Sequence, residues 1–228
     1  MIRGYRETWN ARSETEEQAT MAVFGYSADE IAFRHTAEHT RDQLQRTVEI
    51  RHEDVILEIG AGVGRVGAVL APICREWIGA DVSENMLAHL RRRLRNYDNI
   101  QTIVVSGHDL APIASETIDL AYCTSVFMHI TDWDRYGYIL EAMRVLRPGG
   151  RMYVDNFNLL TDEGWAEFEQ SRAVPTGARP FDLSRSSTPQ ELEAYFKRAG
   201  FVDIGQTQTG AWVACFGTKP ATPAARRP

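Results

Sequence analysis

The chain of 228 residues has 43% hydrophobic and 25% charged residues, which is the composition of an ordinary soluble globular protein. This length suits one α/β domain with a cap or an insertion, and the net charge of −6 argues against a general nucleic-acid-binding surface. No apolar run is long enough for a membrane span, the N-terminus is too polar for a signal peptide, and three scattered cysteines favour a reduced, cytoplasmic chain.

The first two thirds of the chain alternate helical patterns with short apolar runs. Residues 13–50 predict two helices, broken near residues 25–29. Five strands are then predicted, at 55–60, 76–82, 99–105, 117–125 and 151–157. Helices are predicted between them, at 64–74, 83–96 with Ser83 as N-cap, and 134–150 with a stop at Pro148 and two glycines. Because strands and helices alternate, we expect parallel βαβ units with right-handed crossovers.

The C-terminal third does not continue this alternation. An irregular stretch is expected over residues 159–187, followed by a helix from Ser187 or Thr188 to Gly200. Two strands at 201–208 and 210–218 are separated by almost nothing, so they must form an antiparallel hairpin. The tail at 219–228 is expected to be disordered.

The glycine-rich stretch "LEIGAGVGRVG", residues 57–67, has two interpretations. Gly62, Gly64 and Gly67 form a dinucleotide-binding fingerprint, in which backbone N–H groups at a helix start bind a pyrophosphate. In the second pattern Glu58 precedes the glycines, and a carboxylate there suits a ligand that carries an ammonium group and disfavours a phosphate. Asp81 ends the next strand, 19 residues after Gly62, where an acid binds ribose hydroxyls under either interpretation.

Later motifs decide between the two. "SGHDL" at 106–110 follows the third strand, "CTSV" follows the fourth, and "RVLRPGG" precedes the fifth. Together with the glycine loop and "DVSENML", they resemble the class I S-adenosylmethionine-dependent methyltransferases, most closely the small-molecule branch of methyltransferase type 11/25. The resemblance runs from about residue 33 to residue 218 and is weakest across 159–187. It implies a doubly wound, Rossmann-like α/β sheet of seven strands in the order 3-2-1-4-5-7-6, with a C-terminal antiparallel hairpin and N-terminal cap helices.

The resemblance also implies a set of cofactor-binding residues on the loops that follow the first four strands. These are Glu58, Gly60, Ala61, Gly62, Asp81, Val82, Met86, Gly107, His108, Asp109, Leu110 and Cys123. The first four surround the methionine part of S-adenosylmethionine, Asp81 binds the ribose hydroxyls, and Val82 and Met86 flank the adenine. Asp109 is the implied partner of the adenine amino group, and Cys123 faces the methionyl ammonium through its carbonyl.

Other residues have both a functional and a plain structural interpretation. "HTAEH" places His35 and His39 on one helix face, as a zinc peptidase requires, but no third ligand is apparent and no metal is expected. His129 lies beside the expected position of the reactive methyl, so it is either a base or orienting residue for the acceptor, or a cap of the following helix. Trp133, Trp165 and Phe181 could line an acceptor pocket or pack in the core.

These observations predict a cytoplasmic enzyme that methylates O, N or C of a small molecule. Residues 1–50 are expected to form a helical cap, 51–218 the cofactor-binding core, and 159–187 an insertion that contacts the acceptor. No nucleic-acid or membrane partner is expected, and a homodimer is the assembly considered. Two alternatives are a cofactor-binding module or non-methylating enzyme on the same fold, and an NAD-dependent oxidoreductase.

Overall fold

The computed structural model describes residues 4–24 and 30–221, which form two compact units divided after Pro112. The predicted break near 25–29 and most of the predicted tail lie outside the described residues. Within those two ranges, no helix is both long and apolar enough to cross a membrane.

The first unit contains an N-terminal group of helices and the first three strands. Its helices are α1 (Tyr5–Ala11), α2 (Glu16–Phe24), α3 (Glu30–Thr47), α4 (Gly67–Leu70) and α5 (Glu84–Arg93). Its strands are β1 (Val55–Ile59), β2 (Glu76–Asp81) and β3 (Ile100–Val104). Both β1 and β3 pair in parallel with β2. The β1 and β2 strands are almost entirely buried, as expected for inner strands of a sheet covered on both faces.

The second unit contains the remaining four strands. Its strands are β4 (Ile118–Cys123), β5 (Leu146–Phe157), β6 (Val202–Thr209) and β7 (Trp212–Thr218). Its helices are α6 (Asp132–Val145), α7 (Asp162–Ala173) and α8 (Pro189–Ala199). The β4 and β5 strands are parallel, whereas β7 is antiparallel to both β5 and β6. The strand order of the sheet, β3-β2-β1-β4-β5-β7-β6, confirms the predicted order and the C-terminal hairpin.

Three predicted elements differ from those observed. The helix predicted at 64–74 is reduced to the four residues of α4 and a 3₁₀ turn over Ala71–Ile73, because Pro72 has no N–H to continue the α-helical ladder. The stretch 159–187, expected to be irregular, contains the 12-residue helix α7, which Thr161 caps by accepting from Gly164 N. The helix predicted to stop at Pro148 ends at Val145, where β5 begins.

The N-terminal helices pack on the elements that follow β1 and β2. One buried cluster joins Ala19 of α2 and Phe33 of α3 to Val63 and Met86. Trp9, Ala22, Val23 and Phe24 pack against this cluster. Burying this apolar area is the main force that holds the N-terminal helices against the turn after β1 and against α5.

Candidate cofactor and acceptor site

The turn after β1 is built on glycines in the left-handed region. Gly60, Gly62 and Gly64 have φ values of 77°, 52° and 78°, at which the backbone of a residue with a side chain would be strained. The N–H groups of Gly60 and Ala61 both donate to Ala80 O, at 2.8 and 3.0 Å, so the turn is anchored to the end of β2. The glycines thus serve a tight turn against the neighbouring strand.

Helix α2 lies directly over this turn. A Cβ at position 62 would stand 2.8 Å from Val23 Cγ2, which is closer than real Cβ contacts come. A side chain at position 62 would therefore strain the backbone and require Val23 to move. The contact of α2 with the turn was not predicted from the sequence.

Asp81, the last residue of β2, is the centre of the hydrogen bonding around this turn. Its Oδ2 accepts from Gly62 N and its Oδ1 from Ser83 N, both at 2.8 Å. Burial raises the pKa of the carboxyl above its ordinary value, and these N–H groups oppose the rise by stabilising the charged form. Two N–H bonds leave acceptor capacity on a carboxylate for hydroxyl donors such as those of a ribose.

Glu58 is the second buried acid beside the glycine turn. It lies near the end of β1, is 4% exposed, and pairs in register with Gly79 of β2. Its pairing partner is two residues before Asp81, so the two acids occupy neighbouring strand ends. Arg65, in the same turn, donates to Thr40 Oγ1 of α3, at 3.3 Å.

The loops after β2 and β3 meet beneath α1. Gly107 has a φ of 97°, and a Cβ there would lie 2.9 Å from Tyr5 Cδ2 and 3.3 Å from Val82 Cγ1. The Tyr5 ring also lies 5.7 Å from that of His108. The predicted residues Val82, Gly107 and His108 are therefore brought together. Tyr5 was not predicted from the sequence, where its only signal is an aromatic side chain in a polar N-terminal segment.

The remaining predicted residues of this unit have varied surroundings. Met86 and Leu110 are buried, Met86 within the cluster beneath the N-terminal helices. Asp109 is partly buried, and its Oδ1 accepts from Ala111 N at 3.0 Å. A carboxylate that binds one N–H can still accept a hydrogen bond from an amino group.

In the second unit, polar groups follow the end of β4. Cys123 is fully buried and ends the strand. Thr124 Oγ1 is buried and has no hydrogen-bond partner among the described residues. Ser125 has a φ of 58° and donates its N–H to Asp155 Oδ1 at 2.7 Å. A strained residue and an unsatisfied hydroxyl at a strand end are typical of a functional site.

His129 ends a 3₁₀ turn, Phe127–His129, close after these groups in the chain. Its Nδ1 lies 2.8 Å from Asp182 O. A carbonyl can only accept, so Nδ1 carries the proton of the neutral ring and the lone pair is on Nε2. This geometry gives the ring the tautomer of a general base. Trp133, in the next helix, is 82% exposed, which excludes the core role considered for it.

The "HTAEH" motif lies on α3, where both His35 and His39 are exposed. Throughout 4–24 and 30–221, no three His, Cys, Asp or Glu side chains form a group that could hold a metal ion.

Comparison with known proteins identifies the class. Residues 57–154 match the family model of a methyltransferase domain. This segment contains the glycine turn, both acids and the loop after β4. The strand order of the whole sheet is that of Rossmann-like methyltransferases. Over residues 57–154 the chain is therefore similar to methyltransferase domains.

Two relatives and one solved structure illustrate the similarity. A probable S-adenosylmethionine-dependent methyltransferase of Mycobacterium tuberculosis is 30% identical over 149 residues, which cover 65% of this chain and 49% of the relative. The malonyl-acyl-carrier-protein O-methyltransferase of Methylococcus capsulatus is 34% identical over 144 residues, covering 61% and 50%. The chain thus spans about half the length of these curated relatives. The magnesium protoporphyrin IX methyltransferase of Synechocystis, crystallised with SAH, has the same fold, with 15% identity, a TM-score of 0.69, and coverage of 94% and 97%.

Proposed function

We propose that this chain transfers a methyl group from S-adenosylmethionine to an oxygen, nitrogen or carbon atom of a small molecule. The observation that carries the proposal is the pair of buried acids, Glu58 and Asp81, on neighbouring strand ends beside the glycine turn. Asp81 suits the ribose hydroxyls of either cofactor, whereas the Glu58 carboxylate suits an ammonium group and would repel a pyrophosphate. An NAD-dependent oxidation is therefore disfavoured.

The residues of the first unit fit this cofactor. Asp81 is fixed by two backbone N–H bonds and keeps acceptor capacity for the ribose hydroxyls. Glu58 supplies the charge for the methionyl ammonium, and Val82 with Gly107 forms a narrow surface for the adenine. We assign the rest of the cofactor contacts in this unit to Gly60, Ala61, Gly62, Met86, His108, Asp109 and Leu110. The carbonyl of Cys123, in the second unit, is assigned to the methionyl ammonium.

When bound, S-adenosylmethionine supplies a methyl group on a sulfonium that is already a good leaving group. The protein therefore has mainly to hold the acceptor atom in line with that methyl and to exclude water. An acceptor that keeps its proton at neutral pH, such as a hydroxyl, also needs a base. His129 is our candidate, because Nε2 carries its lone pair while Asp182 O holds Nδ1–H.

Assignments on the larger scale belong to the same proposal. We assign residues 1–50 to a cap, 51–218 to the cofactor-binding core, and 159–187 to an acceptor-contacting insertion. A cytoplasmic location agrees with three cysteines that are all buried and form no disulfide among the described residues.

The direct test has two steps. Calorimetry should show that S-adenosylmethionine binds and that NAD does not. Incubation with labelled S-adenosylmethionine and a mixture of small-molecule acceptors should then give S-adenosylhomocysteine and a labelled product, detected by mass spectrometry. Binding without turnover across a broad acceptor set would favour a binding module, and tighter binding of NAD would refute the proposal.

A further inference from the structure

The second unit contains an arginine, Arg185, with a buried N–H donor that no described residue accepts from. Arg185 is partly buried, and its Nη1 is shielded from solvent without a hydrogen-bond partner among the described residues. A guanidinium does not lose its proton in a protein, so this N–H stays polar and charged. Buried polar groups of this kind are nearly always hydrogen-bonded, and one without a protein partner points to water or a ligand.

The backbone of Arg185 is held firmly in place. Its N–H donates to Met128 O at 2.8 Å, directly before His129 in the chain. Its carbonyl accepts from Arg135 Nη2 at 2.9 Å and from Asn156 Nδ2 at 3.1 Å. The segment is thus joined to the turn that contains His129, to α6 and to β5. These bonds fix the position of the Arg185 backbone, from which the side chain extends.

Arg135 shows what a structural arginine looks like in the same unit. It is 1% exposed, and its three nitrogens donate to Phe127 O, Ser187 Oγ, Glu191 Oε1 and Arg185 O. Its donors are used in joining segments of the protein. Arg185 contributes its backbone to this network, while no described residue accepts a hydrogen bond from its Nη1.

We infer that Arg185 binds an oxyanion, a carboxylate or a phosphate, on the methyl acceptor. This inference rests on the proposed methyltransferase function and narrows its substrate class. Guanidinium N–H groups match both anions in geometry and bind them through charge-assisted hydrogen bonds. The backbone N–H of Arg185 bonds to Met128 O, so the segment that carries this arginine lies next to the turn that contains His129.

The first test measures anion binding without any known acceptor. The melting temperature of the S-adenosylhomocysteine-saturated protein is followed while sodium phosphate or sodium acetate replaces sodium chloride at constant ionic strength. We expect saturable stabilisation by at least one anion, and the better of the two indicates whether the acceptor carries a phosphate or a carboxylate. In Arg185→Gln the anion concentration that gives half of the maximal stabilisation should rise at least tenfold.

The matched control is Arg179→Gln, an exposed arginine on the same segment, which should titrate like the wild type. Circular dichroism checks that each variant is folded. No saturable stabilisation of the wild type by either anion would overturn the inference and leave a water molecule as the partner of Nη1. An equal response in Arg185→Gln would also overturn it.

A second test separates this inference from the proposed function. S-adenosylhomocysteine binding is measured first, and if it fails the anion titration is run on the chain alone. With turnover, acceptors should be found among acids and phosphate esters and not among their amides and alcohols. Arg185→Gln should then raise KM at least tenfold with cofactor affinity unchanged, and an unchanged KM would contradict the inference.

Discussion

Asp81 shows how a single residue couples cofactor binding to pH. Burial raises the pKa of its carboxyl, and only the ionised form can accept fully from ribose hydroxyls. A raised folded-state pKa means that the protonated form persists to a higher pH than in the unfolded chain. Cofactor affinity should therefore be constant above that folded-state pKa and fall about tenfold for each pH unit below it.

Calorimetry of S-adenosylmethionine binding from pH 8 downwards checks this expectation. Asp81→Asn should weaken binding by roughly 1.5–3 kcal/mol and remove the pH dependence. Asp98→Asn, at an exposed acid in the same unit, should behave like the wild type. If Asp81→Asn binds the cofactor as tightly as the wild type does, the assignment of Asp81 to the ribose is wrong.

Glu58 distinguishes the two classes of cofactor by the sign of one effect. Glu58→Gln keeps the shape of this buried side chain and removes its charge. With S-adenosylmethionine, affinity should fall roughly tenfold, because a favourable charge near the ammonium is lost. With a pyrophosphate ligand the same change should improve binding. Calorimetry with both ligands measures the sign, and improved NAD binding with unchanged S-adenosylmethionine binding contradicts our proposal.

His129 is tested by turnover once an acceptor is known. If it removes the acceptor's proton, His129→Ala should lower kcat about 10²–10⁴-fold and leave cofactor affinity intact. The wild-type rate should fall on the acid side as the imidazole takes up a proton, and the variant should lose that limb. Recovery of most activity in His129→Gln would show that the ring only orients the acceptor. Unchanged kinetics in His129→Ala would exclude it from the site.

At the scale of elements, Ser83 both caps α5 and ties it to the N-terminal helices. Its Oγ accepts from Met86 N at 3.1 Å, donates to Asn10 Oδ1 at 2.8 Å, and lies 3.1 Å from Ser13 Oγ. Ser83→Ala should therefore lower the free energy of unfolding by about 2 kcal/mol or more, because it removes the helix cap and leaves buried hydrogen bonds unmade. Thr188→Ala, which removes the cap of α8, should cost about 1 kcal/mol. Denaturant unfolding measures both, and equal losses would show that the tie to α1 contributes nothing.

The elements were predictable where local signals agree with tertiary packing. The buried strands, the Ser83 cap and the stop at Gly200 all have sequence signals that the structure confirms. Helix α7 was not predicted because it buries almost none of its side chains, and its sequence therefore shows little apolar periodicity. The signal for its start is the Thr161 cap. The short α4 was over-extended because Pro72 was given less weight than the apolar run around it.

At the scale of the whole molecule, the sequence predicted the fold class and the strand order but could not reveal contacts between distant segments. The glycines and acids form contiguous motifs, whereas the approach of Tyr5 to Gly107 and of Val23 to Gly62 depends on how the N-terminal helices pack. The unsatisfied Nη1 of Arg185 is likewise a property of the folded surroundings alone. Such contacts join residues far apart in the chain and leave no local pattern.

The buried thiols predict how the stability of the folded chain depends on pH. Burial raises the pKa of Cys74 to about 11 and that of Cys215 to about 12, from an ordinary value of 9.0. Because the folded-state values are raised, the stabilisation is fully present below pH 9 and is lost as pH rises towards them. The free energy of unfolding should therefore fall by up to roughly 1.4 kcal/mol per pH unit for each thiol above that point.

Urea unfolding from pH 7.5 to 10 at constant ionic strength measures this slope. The window ends at pH 10 because Tyr153 and Tyr195, whose pKa values burial also raises, add their own loss at higher pH. The double variant Cys74→Ala with Cys215→Ala starts from lower stability, because the side chains leave cavities, so only slopes are compared. Its slope should be clearly shallower than that of the wild type. Equal slopes would mean that these thiols ionise as readily in the folded chain as in the unfolded one.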